Sequence, residues 1–296
     1  MKSVAPATLG SRAFYKYMTA AVAPRPIALA STVDKYGRVN LSPFSFFNYV
    51  GIDPPIIVFS PGRRGRDNSY KDTALNLTEV PEVVVNMVTF DMVQQMSLSS
   101  AEYERGVNEF EKVGFTMLPA EQVKPPRVAE SPAQFECKVL ETKEIGTMVL
   151  VIAEVVLAHF AESILDENGQ IDQTRTDWVA RMGGDWYARA SGDAIFEVPR
   201  PQHGIGVDAL PESVRHSKLL TGNDLGMLGG LTEFPAREEI RAFGATVAML
   251  NLREEARLGC QYLPDVLHAH AKKLLKQGET ATALLTLLLP EPFSDE

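Results

Sequence analysis

Cysteine is nearly absent: Cys137 and Cys260 are the two among 296 residues, which excludes a disulfide-stapled scaffold and makes a reducing cytoplasm the expected location. No apolar run approaches the roughly 18 residues of a membrane helix. The opening MKSVAPATLG has a lysine but no apolar stretch behind it, so neither a membrane nor a secretory leader is expected. Positive charge is also short. Lys plus Arg number 29 against 38 Asp plus Glu, and a net charge of -9 repels a polyphosphate backbone, so nucleic acid is not an expected partner. Low-complexity tracts and internal repeats are lacking. What is present is an ordinary globular mixture, 45% apolar and 23% charged, in a chain long enough for one large domain or two.

Texture divides the chain near residue 200. Before it, runs rich in Val, Ile, Phe and Thr at 26–33, 39–42, 55–59, 83–88, 134–140 and 148–158 alternate with turn signals and are expected to be strands. The run 134–139 alternates as a half-exposed strand does, whereas 148–156 is almost wholly apolar and is expected to be buried on both faces. Helices are expected at 69–79, capped by Asn68 or Ser69, and at 91–101. After Val198-Pro199-Arg200-Pro201, helical spacing takes over at 211–220, 236–243, 247–258, 264–277 and 281–289. The expected organisation is a mainly β, barrel-like α+β domain over 1–200 and a small helical region over 201–296.

Two stretches carry chemistry. In the first, Arg25-Pro26-Ile27-Ala28-Leu29-Ala30-Ser31-Thr32 leads through Asp34 and Gly37 to Asn40-Leu41-Ser42-Pro43-Phe44-Ser45-Phe46-Phe47-Asn48. Hydroxyls and amides beside flat apolar groups suit a planar heteroaromatic ligand, whose face takes apolar contact while each buried edge atom needs a hydrogen-bond partner. A plain hairpin whose Ser, Thr and Asn cap turns has the same composition, so both readings stand. In the second, Arg63-Arg64-Gly65-Arg66-Asp67-Asn68-Ser69-Tyr70-Lys71 concentrates positive charge between an expected strand and an expected helix. Guanidinium forks and a helix N-terminus make a phosphate cradle. The Gly-Lys-Ser/Thr ending of a P-loop is missing, which speaks against a nucleoside triphosphatase, and a solvated basic loop is the rival reading.

Pro-Arg-Pro-Ile-Ala-Leu-Ala-Ser-Thr, then Ser-Pro-Phe-Ser-Phe-Phe, Asp-Pro-Pro and the Arg-rich loop with Lys71-Asp72-Thr73, resembles the flavin reductase-like family of FMN-binding split barrels. Gln94 to Ser99, Val107 to Phe110, Ala129 to Pro132 and Arg181-Met182-Gly183-Gly184, with Tyr187 beyond, follow in the family's order over roughly residues 10 to 200. The resemblance implies a six-stranded antiparallel barrel, a homodimer and FMN near the subunit interface. It places Ser31, Thr32 and Val33, and the loop Asn40, Ser42, Pro43, Ser45, Phe46, Phe47 and Asn48, along the flavin ring and ribityl chain. Ser42 and Ser45 are its candidates for hydrogen bonds to the flavin, with Phe46 or Phe47 packing nearby. By charge, Arg63, Arg64, Asn68 and Lys71 are candidates for the phosphate, with the contacting arginine left open. The helical remainder resembles an extension found in a longer subgroup.

The implied activity is an FMN-dependent oxidoreductase, a flavin reductase passing hydride from NADH or NADPH to a flavin or another small acceptor. A flavin-based electron carrier or ferric reductase, and a non-catalytic FMN-binding protein with a helical interaction module, are the alternatives. No protein acid or base is assigned. Gly204-Ile205-Gly206-Val207-Asp208-Ala209 has a dinucleotide-like spacing but follows Pro-rich chain, so it is read as structural. The five histidines form no metal-ligand pattern, and His268 and His270 are read as surface residues. Cys137 is read as a packed thiol. Tyr187 is read either as near the flavin or as a core tyrosine.

Overall fold

Asp34 and Gly37 make the first hairpin turn. Asp34 Oδ1 accepts from the backbone N–H groups of Tyr36 and Arg38, both at 2.9 Å, and Gly37 takes φ 80°, which suits glycine. The turn joins Ala28–Val33 to Val39–Phe44; with the short Arg25–Pro26 before them as β1, these are β2 and β3. The structure is a computed structural model that describes residues 1–65 and 67–289, and it has two compact units, Met1–Phe196 and a second from Glu197 onward.

In the first unit β4 (Phe47–Gly51), β5 (Ile56–Phe59), β6 (Glu82–Met87), β9 (Ala133–Ile145) and β10 (Met148–Phe160) join β2 and β3 in one barrel-like antiparallel sheet of seven strands, ordered β3-β2-β6-β9-β10-β5-β4. The short β7 (Met117–Leu118) and β8 (Arg127–Val128) pair with each other, and β1 pairs with β11 (Trp178–Arg181), which pairs with β12 (Tyr187–Ala190). Helices α1 (Pro6–Leu9) and α2 (Ser11–Ala21) precede the sheet, and α3 (Asp72–Glu79), α4 (Val93–Leu98) and α5 (Glu109–Val113) interrupt it. The sheet carries seven strands rather than six.

Strand β2 explains why the sheet has two cores. All six of its residues are buried, with Ala28 and Ala30 packing among Phe59, Val85 and Val151, while Leu29 faces Met92, Met96 and Phe110 under α4 and α5. The apolar run in β10 behaves differently from its expectation. Val149, Val151 and Ala153 are buried, but the alternate residues are only half-buried, so one face alone meets the core. Strand β9 departs the other way: Glu136, on its polar side, is fully buried. It accepts from the Glu121 and Gln122 backbones at 2.9 and 2.6 Å and meets His159 Nε2 at 2.7 Å, which satisfies the carboxylate away from water. Helix α3 begins at Asp72 without a side-chain cap, because Asn68 is left-handed at φ 59° and the Ser69 hydroxyl donates back to Asp67.

The second unit holds α6 (Glu212–Arg215), α7 (Gly222–Gly229), α8 (Arg237–Gly244), α9 (Val247–Leu258), α10 (Leu263–Lys276) and α11 (Thr280–Leu287). Leu267, Ala271, Leu274 and Leu275 of α10 are buried, as their spacing predicts. Helix α7 is hidden in the sequence by its glycines. Thr221 and Asp224 start it with a capping box, and a Cβ at Gly229 would lie 2.9 Å from the Gly206 carbonyl carbon, so close backbone approach demands the glycine. The Gly204–Gly206 stretch pairs with the end of that helix, Ile205 N donating to Leu231 O at 2.8 Å, and opens no βαβ unit. His268 is half-buried against Ser217 Oγ at 2.8 Å rather than at the surface, and burial lowers its pKa. Among the described residues no helix is long and apolar enough to cross a membrane, and no cluster of three His, Cys, Asp or Glu is set to hold a metal.

Candidate functional site

Where β3 ends, Pro43, Phe44, Ser45 and Phe46 form one side of a cleft of about 580 Å³. The loop after β5 supplies Ser60, Gly62, Arg63, Gly65 and Lys71. Helix α4 adds Met96 and Ser97, the turn after it adds Ser100, β10 adds Met148, and β11 and β12 add Arg181 and Tyr187. Its size is that of a pocket for a small organic ligand. Apolar surface comes from Ile27, Phe44, Met96 and Met148, and the hydroxyls from four serines. Among the described residues the lining holds three cations, Arg63, Lys71 and Arg181, and no carboxylate. In a chain of net charge -9 that is a local reversal of sign.

Backbone contacts build this wall. Arg63 N donates to Thr147 O at 2.9 Å and Gly62 bridges to Met148, so the loop after β5 is fastened to the β9–β10 turn. The Arg63 guanidinium lies 4.2 Å over the Tyr70 ring and donates to the Tyr70 hydroxyl at 2.8 Å and to Glu144 at 2.9 Å. Tyr70 in turn donates to Glu144, which raises its own pKa. Lys71 sits 5.3 Å over the Phe44 ring, and its pKa is lowered by burial first and then by the charge of Arg64, against the pull of Glu102. A buried cation with an incomplete set of counter-charges favours an anion nearby.

Arg64 stands apart. It lines a recess of about 80 Å³ beside the cleft together with Asn40, Ser42 and Lys71, and that recess also holds Asp72, Glu102 and Glu109. Arg64 donates to the Tyr70 carbonyl and pairs with Asp72 at 2.7 Å. Burial raises the pKa of Glu109, whose Oε2 accepts from Leu41 N at 2.9 Å. Three carboxylates offset the cations there, so the recess is a poorer anion site than the cleft.

The remaining sequence candidates divide among several places. Pro43, Ser45 and Phe46 line the cleft. Ser42 lines the recess, and among the described residues neither the Ser42 nor the Ser45 hydroxyl has a side-chain hydrogen bond. Ser31, Thr32 and Asn40 are buried beneath it: Asn40 Nδ2 donates to Thr73 at 2.9 Å and to Thr32 at 3.3 Å, and Ser31 Oγ donates to Pro126 O at 2.5 Å. Val33 lines a separate groove with Lys35 and Pro126. Phe47 packs on the barrel core, and Asn48 is exposed, its Oδ1 accepting from Tyr49 N at 2.9 Å. Asn68 shapes the loop and lends its carbonyl to Arg63 at 3.4 Å. Arg66 lies outside the described residues.

Three lining residues escape a reading of the sequence alone. Tyr15 arrives from α2, where no strand or motif marks it, and its ring meets Phe46 edge-on at 6.3 Å. Ser100 and Met148 lie at element ends, which only the fold brings together, whereas Ser60 opens the Arg-rich stretch that the sequence marks out. Met96 and Ser97 fall inside the Gln94 to Ser99 stretch, and Arg181 and Tyr187 belong to the Arg-Met-Gly-Gly stretch, so a signal existed for these. The turn of that stretch is packed tightly: a Cβ on Gly183 would lie 2.8 Å from the Ala20 Cβ.

Comparison with known proteins gives this geometry a context. The model of the flavin reductase like domain matches residues 20–175. An uncharacterised protein of Aquifex aeolicus is 38% identical over 184 residues, covering 62% of this chain and 93% of its own length. Among solved structures, the 2-nitrobenzoate 2-nitroreductase of Pseudomonas fluorescens is 30% identical with a TM-score of 0.60, covering 67% of this chain and 96% of its own. Nitrilotriacetate monooxygenase component B of Bacillus cereus is 29% identical with a TM-score of 0.63, covering 67% and 98%.

Proposed function

The chain belongs to the flavin reductase-like family and is a flavin-binding oxidoreductase; from that premise we propose that its flavin is FMN and that NADH or NADPH is the donor, a flavin or another small molecule being the acceptor. The observation that carries the reading is the cleft itself: flat apolar groups, serine hydroxyls of which Ser60 and Ser100 already donate to carbonyls, and three cations without a carboxylate among the described lining residues. Those residues fit a phosphorylated planar ring. Arg63 and Lys71 are the cations for its phosphate, and Ser45 in the cleft, with Ser42 in the adjoining recess, the donors for its polar edge. Arg64 is taken up by the largely buried Asp72, whereas Glu144, the partner of Arg63, is exposed and screened by water, so Arg63 rather than Arg64 is assigned to the phosphate. Thr32, Asn40 and Thr73 hold the start of α3 against the sheet and so act from beneath.

Bound FMN supplies the two-electron chemistry, and the protein supplies position, polarity and an open face. Ile27, Phe44, Met96 and Met148 offer apolar contact to one face of the ring, while Ser45 offers a hydrogen bond at its edge. A homodimer is proposed as the working form, because Tyr17, Met18, Tyr49, Val50 and Ile52 leave large apolar side chains exposed in the same unit. The cytoplasm is the proposed compartment. The test is direct: purified protein is titrated with FMN, then mixed anaerobically with NADH or NADPH. Rapid bleaching of the yellow colour supports the reductase, persistent colour supports a carrier or binder, and failure to bind flavin at micromolar concentration sinks the reading.

A further inference from the structure

Positive charge reaches the cleft from two unrelated parts of the chain. Arg63 and Lys71 belong to the loop after β5, and one phosphate monoester accounts for both. Arg181 comes from β11, and the flavin reading makes no use of it. Its guanidinium lies 4.5 Å from the Tyr187 ring, donating to the Tyr187 hydroxyl through Nη1 and to the Gly184 carbonyl through Nη2 at 2.5 Å. These contacts hold the fork in place while using two of its five N–H groups. Asp185, 3.7 Å away, is fully exposed, so water and salt screen that pair.

The surroundings add to the excess. Arg25 stands opposite Arg181 in the β1–β11 register, and its Nε is buried with no partner among the described residues. Its pKa is lowered by burial, and the like charge of Arg181 contributes in the same direction. Arg25 spends its terminal nitrogens on the Thr19, Val22 and Met182 carbonyls, so Arg181, the guanidinium of the two that lines the cleft, is the one an oxyanion there would meet, and the oxyanion's charge would ease the repulsion between them.

We propose that Arg181 is a second anion-binding residue of the cleft, which takes a phosphate of the nicotinamide nucleotide donor while Arg63 and Lys71 hold the phosphate of the flavin. The proposal rests on the reading of the protein as a flavin-binding oxidoreductase with such a donor. Apolar residues, Ile27, Phe44 and Met96 among them, line the same cleft and give flat rings their contact surface. The chain has no βαβ unit at Gly204 to hold a dinucleotide, so a donor bound by ring contact alone gains from a fixed fork for its phosphates.

The full-length protein reconstituted with FMN is assayed with NADH, NADPH and N-benzyl dihydronicotinamide, a donor without phosphate, in the wild type, Arg181→Gln and Arg181→Lys. Arg181→Gln is expected to raise KM for NADH and NADPH about tenfold or more relative to its effect on the benzyl donor. Arg181→Lys is expected to recover most of that loss, and the salt dependence of KM should flatten in Arg181→Gln. An equal change for all three donors, or no change for any, overturns the proposal. So does a fall in FAD affinity with the KM for NADH unmoved, which would give Arg181 to the adenylate half of FAD. A wild-type holoprotein that no donor bleaches fails the functional reading before any variant is made, whereas normal bleaching with an indifferent Arg181→Gln fails this proposal alone.

Discussion

Arg64 Nη2 lies 2.7 Å from Asp72 Oδ2, with 17% and 12% of the two side chains exposed, so the pair closes the first turn of α3 onto the loop that precedes it. An arginine so engaged holds structure. Replacing Arg64 with Ala should cost about 1–3 kcal/mol of stability, because Asp72 keeps its burial and loses its cation. Urea unfolding measures the cost, and affinities for FMN and riboflavin should fall together. A loss confined to FMN would make Arg64 the phosphate ligand instead.

Lys71 is expected to behave in the opposite way. Lys71→Gln should weaken FMN about tenfold to a hundredfold, the range of a charge-assisted contact, while riboflavin, which has no phosphate, changes little. Fluorescence titration with both flavins separates the outcomes, and equal weakening would remove Lys71 from the phosphate site.

The same lysine sets a pH dependence. Burial lowers its pKa from the ordinary 10.5, so the folded protein carries a strained cation below that lowered value and is relieved of it as pH rises. The phosphate needs the cation. FMN affinity should therefore decline on the alkaline side earlier than for an ordinary lysine, and the decline should be absent in Lys71→Gln and for riboflavin. An FMN titration that stays flat up to the ordinary lysine range would contradict the assignment.

The two thiols should separate cleanly. Cys137 is fully buried, and burial pushes its pKa far up, whereas Cys260 is exposed. A disulfide reagent should modify one thiol in the native protein and two in urea. Rapid native modification of Cys137→Ser would be the expected control, and loss of rapid modification in that variant would reverse the assignment.

Much of this architecture is written locally. The β2–β3 hairpin follows from Asp34 and Gly37, and α10 from its leucine spacing, because backbone conformation and amphipathic period are properties of neighbouring residues. The cleft is legible only in part. Ser45, Phe46, Arg63 and Lys71 lie in stretches whose composition stands out, but Tyr15 and Met148 acquire their place from pairing across distant strands. Composition alone does not separate two uses of Thr32 and Asn40, whose hydroxyl and amide suit a ligand but hydrogen-bond each other inside the sheet. Glu136 shows the reverse error: an alternating strand reads as half exposed, yet a loop lies over its polar side and buries the carboxylate. Helix α7 is concealed because glycine, the residue that lets its backbone approach Gly206, is the residue that ordinarily argues against a helix.

The contact between Gly183 and Ala20 has a consequence for how the sequence is free to change. A methyl group at position 183 would collide with the Ala20 β-carbon at 2.8 Å and with its Cα at 2.9 Å, so the helix backbone itself fills the space. Glycine at 20 would not relieve the clash, because the backbone there stands as close as the methyl group; a substitution at 183 requires a shift of the helix that carries Tyr15 to the cleft. Related sequences that keep this helix in place are thus expected to keep glycine at 183 whatever small residue stands at 20, a restriction that ties the N-terminal helix to the ligand-facing wall through volume alone.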